Sequence, residues 1–257
     1  MNPKPHALPT ALLKRLRAAR SILVFSGAGM SAESGVATFR DAQSGLWSNF
    51  DPGEFATPEA WQADPALVWG WYLWRMAQVR QAMPHAGYAA LAELARRVPE
   101  FGIVTQNVDD LHERAGLTDV VHLHGELFAH RCFDCARPHA GIAIPDAATQ
   151  APVLRVEPPR CVSCGGHVRP GVVWFGESLP DAAWTEAVAR AGRCELMLVV
   201  GTSGVVYPAA SLPAIARGAG ALIVEINPAQ TQLSAAADHC LRTSAAQGLA
   251  LCLEAHL

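Results

Sequence analysis

Five short apolar runs punctuate the chain, at Ser21–Phe25, Phe101–Thr105, Val120–Leu123, Leu196–Val200 and Ala221–Ile226. Each is continuous rather than alternating, which marks a strand buried on both faces, as in a parallel sheet covered by helices. Stretches with helical character lie between them at Ala86–Arg97, Ala182–Ala191 and Pro208–Ala216, and another, Pro9–Arg20, precedes the first run. This order predicts a doubly wound α/β fold with a parallel sheet. The runs end at Gly27, Gln106, His124, Gly201 and Asn227, all small or polar. Open α/β sheets bind ligands outside the carboxyl ends of their strands, so these five positions should line one crevice.

Two segments break the pattern. Residues 41–83 are rich in tryptophan (Trp47, Trp61, Trp69, Trp71, Trp74) and read as helical; residues 129–170 hold four clustered cysteines. Both read as insertions that pack together. The predicted organisation is a large domain of residues 1–40, 84–128 and 171–257, and a small domain of residues 41–83 and 129–170.

Composition narrows the classes. With 257 residues, 51% hydrophobic and 17% charged, the chain can build a large core, and disorder is excluded. A net charge of -3 argues against direct nucleic-acid binding as the main role. No run of about 18 apolar residues suggests a membrane span. Lys14, Arg15, Arg17 and Arg20 precede the first acid, Glu33, and could mimic a transit peptide. No spacer or cleavage site separates them from the first strand, so they read as a first helix and the protein as cytoplasmic.

Four of the seven cysteines form two pairs, Cys132/Cys135 and Cys161/Cys164. Four thiolates at this spacing can close a tetrahedral site with no open position, so one structural Zn2+ is expected, in a ribbon-like insertion. Cys194, Cys240 and Cys252 are scattered among apolar neighbours.

Three further motifs follow strands. Gly27-Ala28-Gly29-Met30-Ser31-Ala32 fits G-x-G-x-x-A and opens a possible helix, so its backbone can approach a pyrophosphate. No strand-end acid stands about 20 residues on to hold a ribose, which argues against hydride transfer. Gln106, Asn107 and Asp109 put amides and a carboxylate after the second strand, able to grip a carboxamide or ribose, or alternatively to cap a helix. His122 and His124 would point to opposite faces of a strand. His124, at the strand end, is the candidate general base, and His122 reads as a satisfied core histidine.

Taken in order, these features resemble the sirtuins, the NAD-dependent protein lysine deacylases, over nearly the whole chain. The matching residues include Gly27 through Gly35, Thr38-Phe39-Arg40, Thr105-Gln106-Asn107-Val108-Asp109, His122-Leu123-His124-Gly125 and both cysteine pairs. They continue through Val173-Trp174-Phe175-Gly176-Glu177, Gly201-Thr202-Ser203 and Val206-Tyr207-Pro208-Ala209-Ala210. The resemblance implies a Rossmann-like domain with NAD as co-substrate across the strand ends. It implies that Gly27, Ala28, Gly29, Ser31 and Ala32 approach the phosphates, and that Phe39, Arg40 and Trp47 cover the nicotinamide side. Gln106, Asn107 and Asp109 would hold ribose and carboxamide, with Asn107 also taking part in catalysis. Gly201, Thr202, Ser203, Asn227 and, by position alone, Ala245 would serve the adenosine half. An acylated lysine of a protein substrate would enter as an added strand along Val172, Val173, Trp174 and Phe175. Its carbonyl oxygen would attack the ribose carbon as nicotinamide leaves, and His124 would activate a ribose hydroxyl, giving free lysine and O-acyl-ADP-ribose. Tyr72 and Arg75 resemble the Tyr-x-x-Arg pair of the class that removes succinyl and malonyl groups. Three positions apart on a helix, a phenol and a guanidinium share a face and can bind a carboxylate. Ala37 and Gly204 depart from the family pattern, where proline and serine are common. ADP-ribosyl transfer to protein, or NAD and acyl-lysine binding without turnover, are the alternatives.

Overall fold

The structure is a computed structural model and describes residues 8–36, 51–144 and 155–256. Ala37, Thr38, Phe39, Arg40 and Trp47 lie outside the described residues.

Nine strands are described: β1 (Ser21–Ser26), β2 (Glu100–Thr105), β3 (Val120–His122), β4 (Gly125–Cys132), β5 (Pro138–His139), β6 (Val168–Val172), β7 (Leu196–Val200), β8 (Leu222–Ile226) and β9 (His239–Leu241). Six form one parallel sheet in the order β3-β2-β1-β7-β8-β9. From β1 the chain winds outward one way through β2 and β3, and from β7 the other way through β8 and β9. The switch point therefore falls between β1 and β7, where such sheets open a crevice at their carboxyl ends. The continuous apolar runs explain the burial: every residue of β7 is buried, as is all of β1 beyond Ser21.

The five predicted runs are five of these strands. The sixth, β9, is three residues at the sheet edge, two half-buried and Cys240 exposed, with no apolar run to announce it. The flanking helices are α1 (Thr10–Ala18), α5 (Ala86–Arg97), α7 (Asp181–Ala191), α8 (Leu212–Gly218) and α9 (Ala245–Ala255). The predicted helix Pro208–Ala216 is in fact a 3-10 turn, Ala209–Ser211, followed by α8. Pro213 has no N–H to donate, so it fits the first turn of a new helix rather than the middle of an old one.

The second sheet is antiparallel, in the order β5-β4-β6. β4 and β6 pair from Gly125↔Val172 to Cys132↔Val168, with an irregularity between Glu126 and His130. Over it lie α2 (Pro52–Phe55), α3 (Pro58–Ala63) and α4 (Pro65–Gln81). Thr57 and Asp64 cap α3 and α4 by accepting from Ala60 N and Leu67 N, and Pro58 and Pro65 follow each cap. α4 is buried around most of its circumference, including Trp69, Trp71, Tyr72, Arg75 and Met76. The Trp61 ring lies 6.2 Å from Phe133 and 5.5 Å from Trp174, and Val156 N donates to Ala66 O. One apolar cluster runs from Leu12 and Val24 through Trp61 and Trp71 to Val172.

Candidate functional site

The turn after β1 is not the start of a regular helix. Two 3-10 turns, Ala28–Met30 and Ala32–Ser34, follow instead, and Gly35 ends them at φ 83°. The glycines are explained by contact with another turn. Gly27 N donates to Val200 O and Gly29 N to Gly201 O, locking this turn against the one after β7. A Cβ on Gly29 would lie 2.8 Å from the Gly201 backbone, and one on Gly27 2.9 Å from Thr202. Gly201 itself has φ 61°. Ala28 and Gly29 remain half-buried and Ala32 exposed, so their backbone borders the crevice.

The polar residues after β2 meet this pair of turns. Gln106 Nε2 donates to Thr202 Oγ1 at 2.8 Å, and Asn227 Nδ2 donates to Thr202 O at 3.1 Å. Four of the five run ends, Gly27, Gln106, Gly201 and Asn227, thus converge on Thr202 and its neighbour. Ser31 lies below, fully buried, and is saturated: it donates to Asp109 Oδ2 at 2.8 Å and accepts from Asn107 Nδ2 and from the Tyr88 hydroxyl, both at 2.9 Å. Ser31 therefore orders Asn107 and Asp109 and has no hydrogen left for a phosphate. Burial holds the Asp109 carboxyl above its ordinary range and the Tyr88 phenol far above its own, which keeps the phenol a donor. Ala245 opens α9 and is buried; its neighbour Ala246 donates its N–H to Glu33 just past the glycine turn.

His124 lies beyond β3, in a two-residue turn with Leu123 that leads into β4, and not on the strand as expected. Leu123 is fully buried, which pulls the turn down and ends the strand. His124 Nδ1 donates to Gln106 O at 2.9 Å, and His124 O accepts from Val173 N at 2.7 Å. A carbonyl only accepts, so the proton sits on Nδ1 and Nε2 keeps its lone pair. Burial lowers the pKa of His124 despite that hydrogen bond, so the ring is neutral near pH 7. That is the state of a general base.

His122 has both ring nitrogens paired, as expected of a satisfied histidine, but one of its partners is a carboxylate. Its Nδ1 donates to Asn107 O at 3.0 Å and its Nε2 to Glu113 Oε1 at 2.8 Å. Burial opposes its charge, but the Glu113 carboxylate outweighs burial and raises its pKa.

The expected acyl pair sits on α4. Tyr72 and Arg75 are both buried, and the Arg75 guanidinium lies 5.1 Å from the Trp71 ring centroid. The Tyr72 hydroxyl accepts from Trp174 Nε1 at 2.8 Å, tying α4 to the segment after β6. Burial pushes the Tyr72 phenol well above its ordinary value, so it stays neutral, and lowers the pKa of Arg75. Val172 and Trp174 are buried, Val173 half-buried and Phe175 exposed. Phe175 N donates to Ala56 O.

Sequence reasoning missed the support beneath this segment. Arg169 forms a bidentate pair with Glu177 at 2.5 and 3.0 Å, donates to Val172 O, and stacks 3.2 Å from the Trp174 ring centroid. Glu177 also accepts from Trp174 N. Only the run of charge and aromatic in Arg169, Trp174 and Glu177 could have signalled it.

The four cysteines converge. All four sulfurs lie within 4.8 Å of one another, with Cys132 to Cys164 at 3.5 Å and Cys135 to Cys161 at 3.7 Å. A tetrahedron of Zn–S bonds about 2.3 Å long separates sulfurs by about 3.8 Å, so the set fits a structural Zn2+. The crevice in turn fits a dinucleotide: bare backbone at Ala28 and Gly29, and half-buried Gln106, Ser203 and Asn227 as polar partners.

Residues 27–208 match the family model described as Sir2 family. NAD-dependent protein deacylase 1 of Pseudomonas aeruginosa is 53% identical over 231 residues, 90% of this chain and 92% of that protein. The NAD-dependent protein deacylase of Methylococcus capsulatus is 51% identical over 245 residues, 95% of each. Among solved structures, a Sir2 homolog–NAD complex superposes with TM-score 0.86 at 42% identity, over 96% of this chain and 93% of that one.

Proposed function

The chain belongs to the Sir2 family and is an NAD-dependent protein deacylase; from that premise we propose which of its residues carry the reaction and which acyl groups it accepts. His124 is the general base. The observation that carries this is its double tether, Nδ1 to Gln106 O and its own carbonyl to Val173 N, which fixes the tautomer and leaves Nε2 basic.

Bound NAD supplies an electrophilic ribose carbon and a nicotinamide leaving group. The residues do the rest. Ala28, Gly29 and Ala32 offer backbone beside the phosphates, and Gly27 and Gly201 keep the two turns close enough to do so. Gln106, Asn107 and Asp109 hold the ribose and carboxamide, with Ser31 and Tyr88 orienting the last two. Thr202, Ser203 and Asn227 border the adenosine half, with Ala245 near the start of α9. The family resemblance assigns the nicotinamide side to Phe39, Arg40 and Trp47, which lie outside the described residues. The acylated lysine of a protein substrate lies along Val172–Phe175, beside His124. His124 takes the proton from a ribose hydroxyl, which frees that oxygen to accept the acyl group. Tyr72 donates to, and Arg75 neutralises, the distal carboxylate of a succinyl or malonyl group. Cys132, Cys135, Cys161 and Cys164 hold zinc away from the bond changes. We divide the chain into a large domain of residues 1–40, 84–128 and 171–257 and a small one of 41–83 and 129–170. We place the enzyme in the cytoplasm, where the four zinc thiols stay reduced.

Matched acetyl-lysine and succinyl-lysine peptides, incubated with and without NAD and followed by mass spectrometry, test this reading. Succinyl removal should need NAD, should fall about 10- to 100-fold in Arg75→Met while acetyl removal changes little, and should vanish with acetyl removal in His124→Ala. Acetyl removal alone in the wild type would sink the acidic pocket.

A further inference from the structure

Two consecutive carbonyls at the end of β2 are each held by an imidazole. Gln106 O accepts from His124 Nδ1 and Asn107 O from His122 Nδ1. The two rings differ at the other nitrogen. His122 Nε2 faces Glu113 Oε1, on α6 (Leu111–Arg114), at 2.8 Å, and no carboxylate among the described residues pairs with His124. A carbonyl and an ionised carboxylate are both acceptors, so His122 makes both hydrogen bonds only with both nitrogens protonated.

Asn107 is otherwise held by two weaker bonds, its N to Thr105 Oγ1 and its Nδ2 to Ser31 Oγ. The charged bond from His122 is the strong one of the three. We infer that His122, held by Glu113, is a positioning residue for NAD: its imidazolium fixes the Asn107 peptide, and with it the Asn107 side chain, and this support is lost when the ring deprotonates. The inference rests on the NAD-dependent reading above.

The pair can exchange protons with water. A cavity of about 270 Å³ opens beside it, lined by Arg80, Val108, Asp110, Glu113, Glu126 and Phe128. The charges facing His122 come from every side: Glu113 and His112 from α6, Glu126 from β4, Asp109 and Asp110 from the turn, and Arg80 from the end of α4. The acids favour the imidazolium and Arg80 opposes it, while burial keeps His112 neutral. When His122 loses a proton, a bare lone pair faces either Asn107 O or Glu113. One bond then turns repulsive, and the turn relaxes.

The test compares wild type, Glu113→Gln, His122→Asn and His122→Ala by kcat/KM for NAD from pH 6.5 to 10, with NAD affinity by calorimetry across the same range. Wild type should lose about five- to tenfold in kcat/KM and in affinity towards high pH, with kcat falling less, as expected for one charge-assisted hydrogen bond. In Glu113→Gln the amide donates to a neutral His122 Nε2, so Nδ1 stays on Asn107 O. In His122→Asn a non-titrating amide takes the place of Nδ1. Both variants should lose the alkaline decline, and His122→Ala should be low at every pH. If all four proteins show the same decline, or if His122→Ala melts earlier but uses NAD as wild type does, the pair is only structural and the inference is overturned. Absence of turnover in the wild type would sink the deacylase reading instead, and the pH dependence of NAD affinity would still decide the role of His122.

Discussion

His122 and His124 stand two positions apart and hold opposite charge states, because one faces a carboxylate and a carbonyl and the other a carbonyl alone. For His124 the sign is clear. A base with a lowered pKa stays deprotonated below the ordinary histidine value of about 6.5, so activity should persist to more acid pH than an exposed histidine would allow. A rate profile whose acid half-point lies above 6.5 would contradict this. His112 behaves differently. It is fully buried against Ser26 and Tyr88, with its pKa lowered to about 4. Its folded pKa is below the unfolded one, so stability is complete above about pH 6.5 and is lost as pH falls towards 4. The loss is about 3 kcal/mol, and His112→Gln should flatten that part of a plot of Tm against pH. Position after a strand was enough to single out His124 in the sequence as the candidate base that we propose. It could not identify His122, since Glu113 belongs to another element, nor Tyr88, whose hydroxyl reaches Ser31 from α5.

At the scale of elements, β4 joins the zinc cluster to the turn that carries His124. It begins at Gly125, beside His124, and ends at Cys132; β6 returns from Val168 to Val172 alongside it. The bond from Val173 N to His124 O continues this ladder to the proposed general base. Removing zinc with a chelator, or replacing Cys135 with serine, should therefore stop turnover although no cysteine lies in the crevice. Circular dichroism should show partial unfolding with the six-stranded sheet retained; full activity with zinc shown absent by metal analysis would refute the linkage. Arg169→Ala should raise KM for an acylated peptide about tenfold and leave KM for NAD nearly unchanged, since Arg169 stacks on Trp174 and holds Val172 O. Strongly apolar elements were legible: β1, β2, β7 and β8 fall within one residue of their runs. β9 was not, because a three-residue edge strand buries too little to leave a pattern. The helix expected after the glycine motif was lost to a tertiary demand, the fit of that turn against Gly201.

Across the whole molecule, the crevice forms where two halves of the chain meet at the switch between β1 and β7. Gly29 and Gly201 close that seam at backbone contact distance. Gly29→Ala should cost about 1–3 kcal/mol in chemical denaturation, the usual range for overpacking a rigid contact, and should weaken NAD binding at the same time. A variant as stable as wild type would show that the two turns can part. The topology was readable because each half follows the strand–helix alternation on its own, whereas the seam was not, since nothing local in either turn names its partner.

That seam also constrains how the sequence can drift. Each glycine excludes a side chain because of the other's backbone, and trimming an opposing side chain cannot make room, there being none to trim. Gly29 and Gly201 should therefore be silent positions in any library of functional variants, and no second-site change elsewhere should rescue them singly or together. A lineage can change Tyr72 and Arg75, the proposed acyl pair, by small steps, but this seam of the crevice offers no neighbouring sequence to move to.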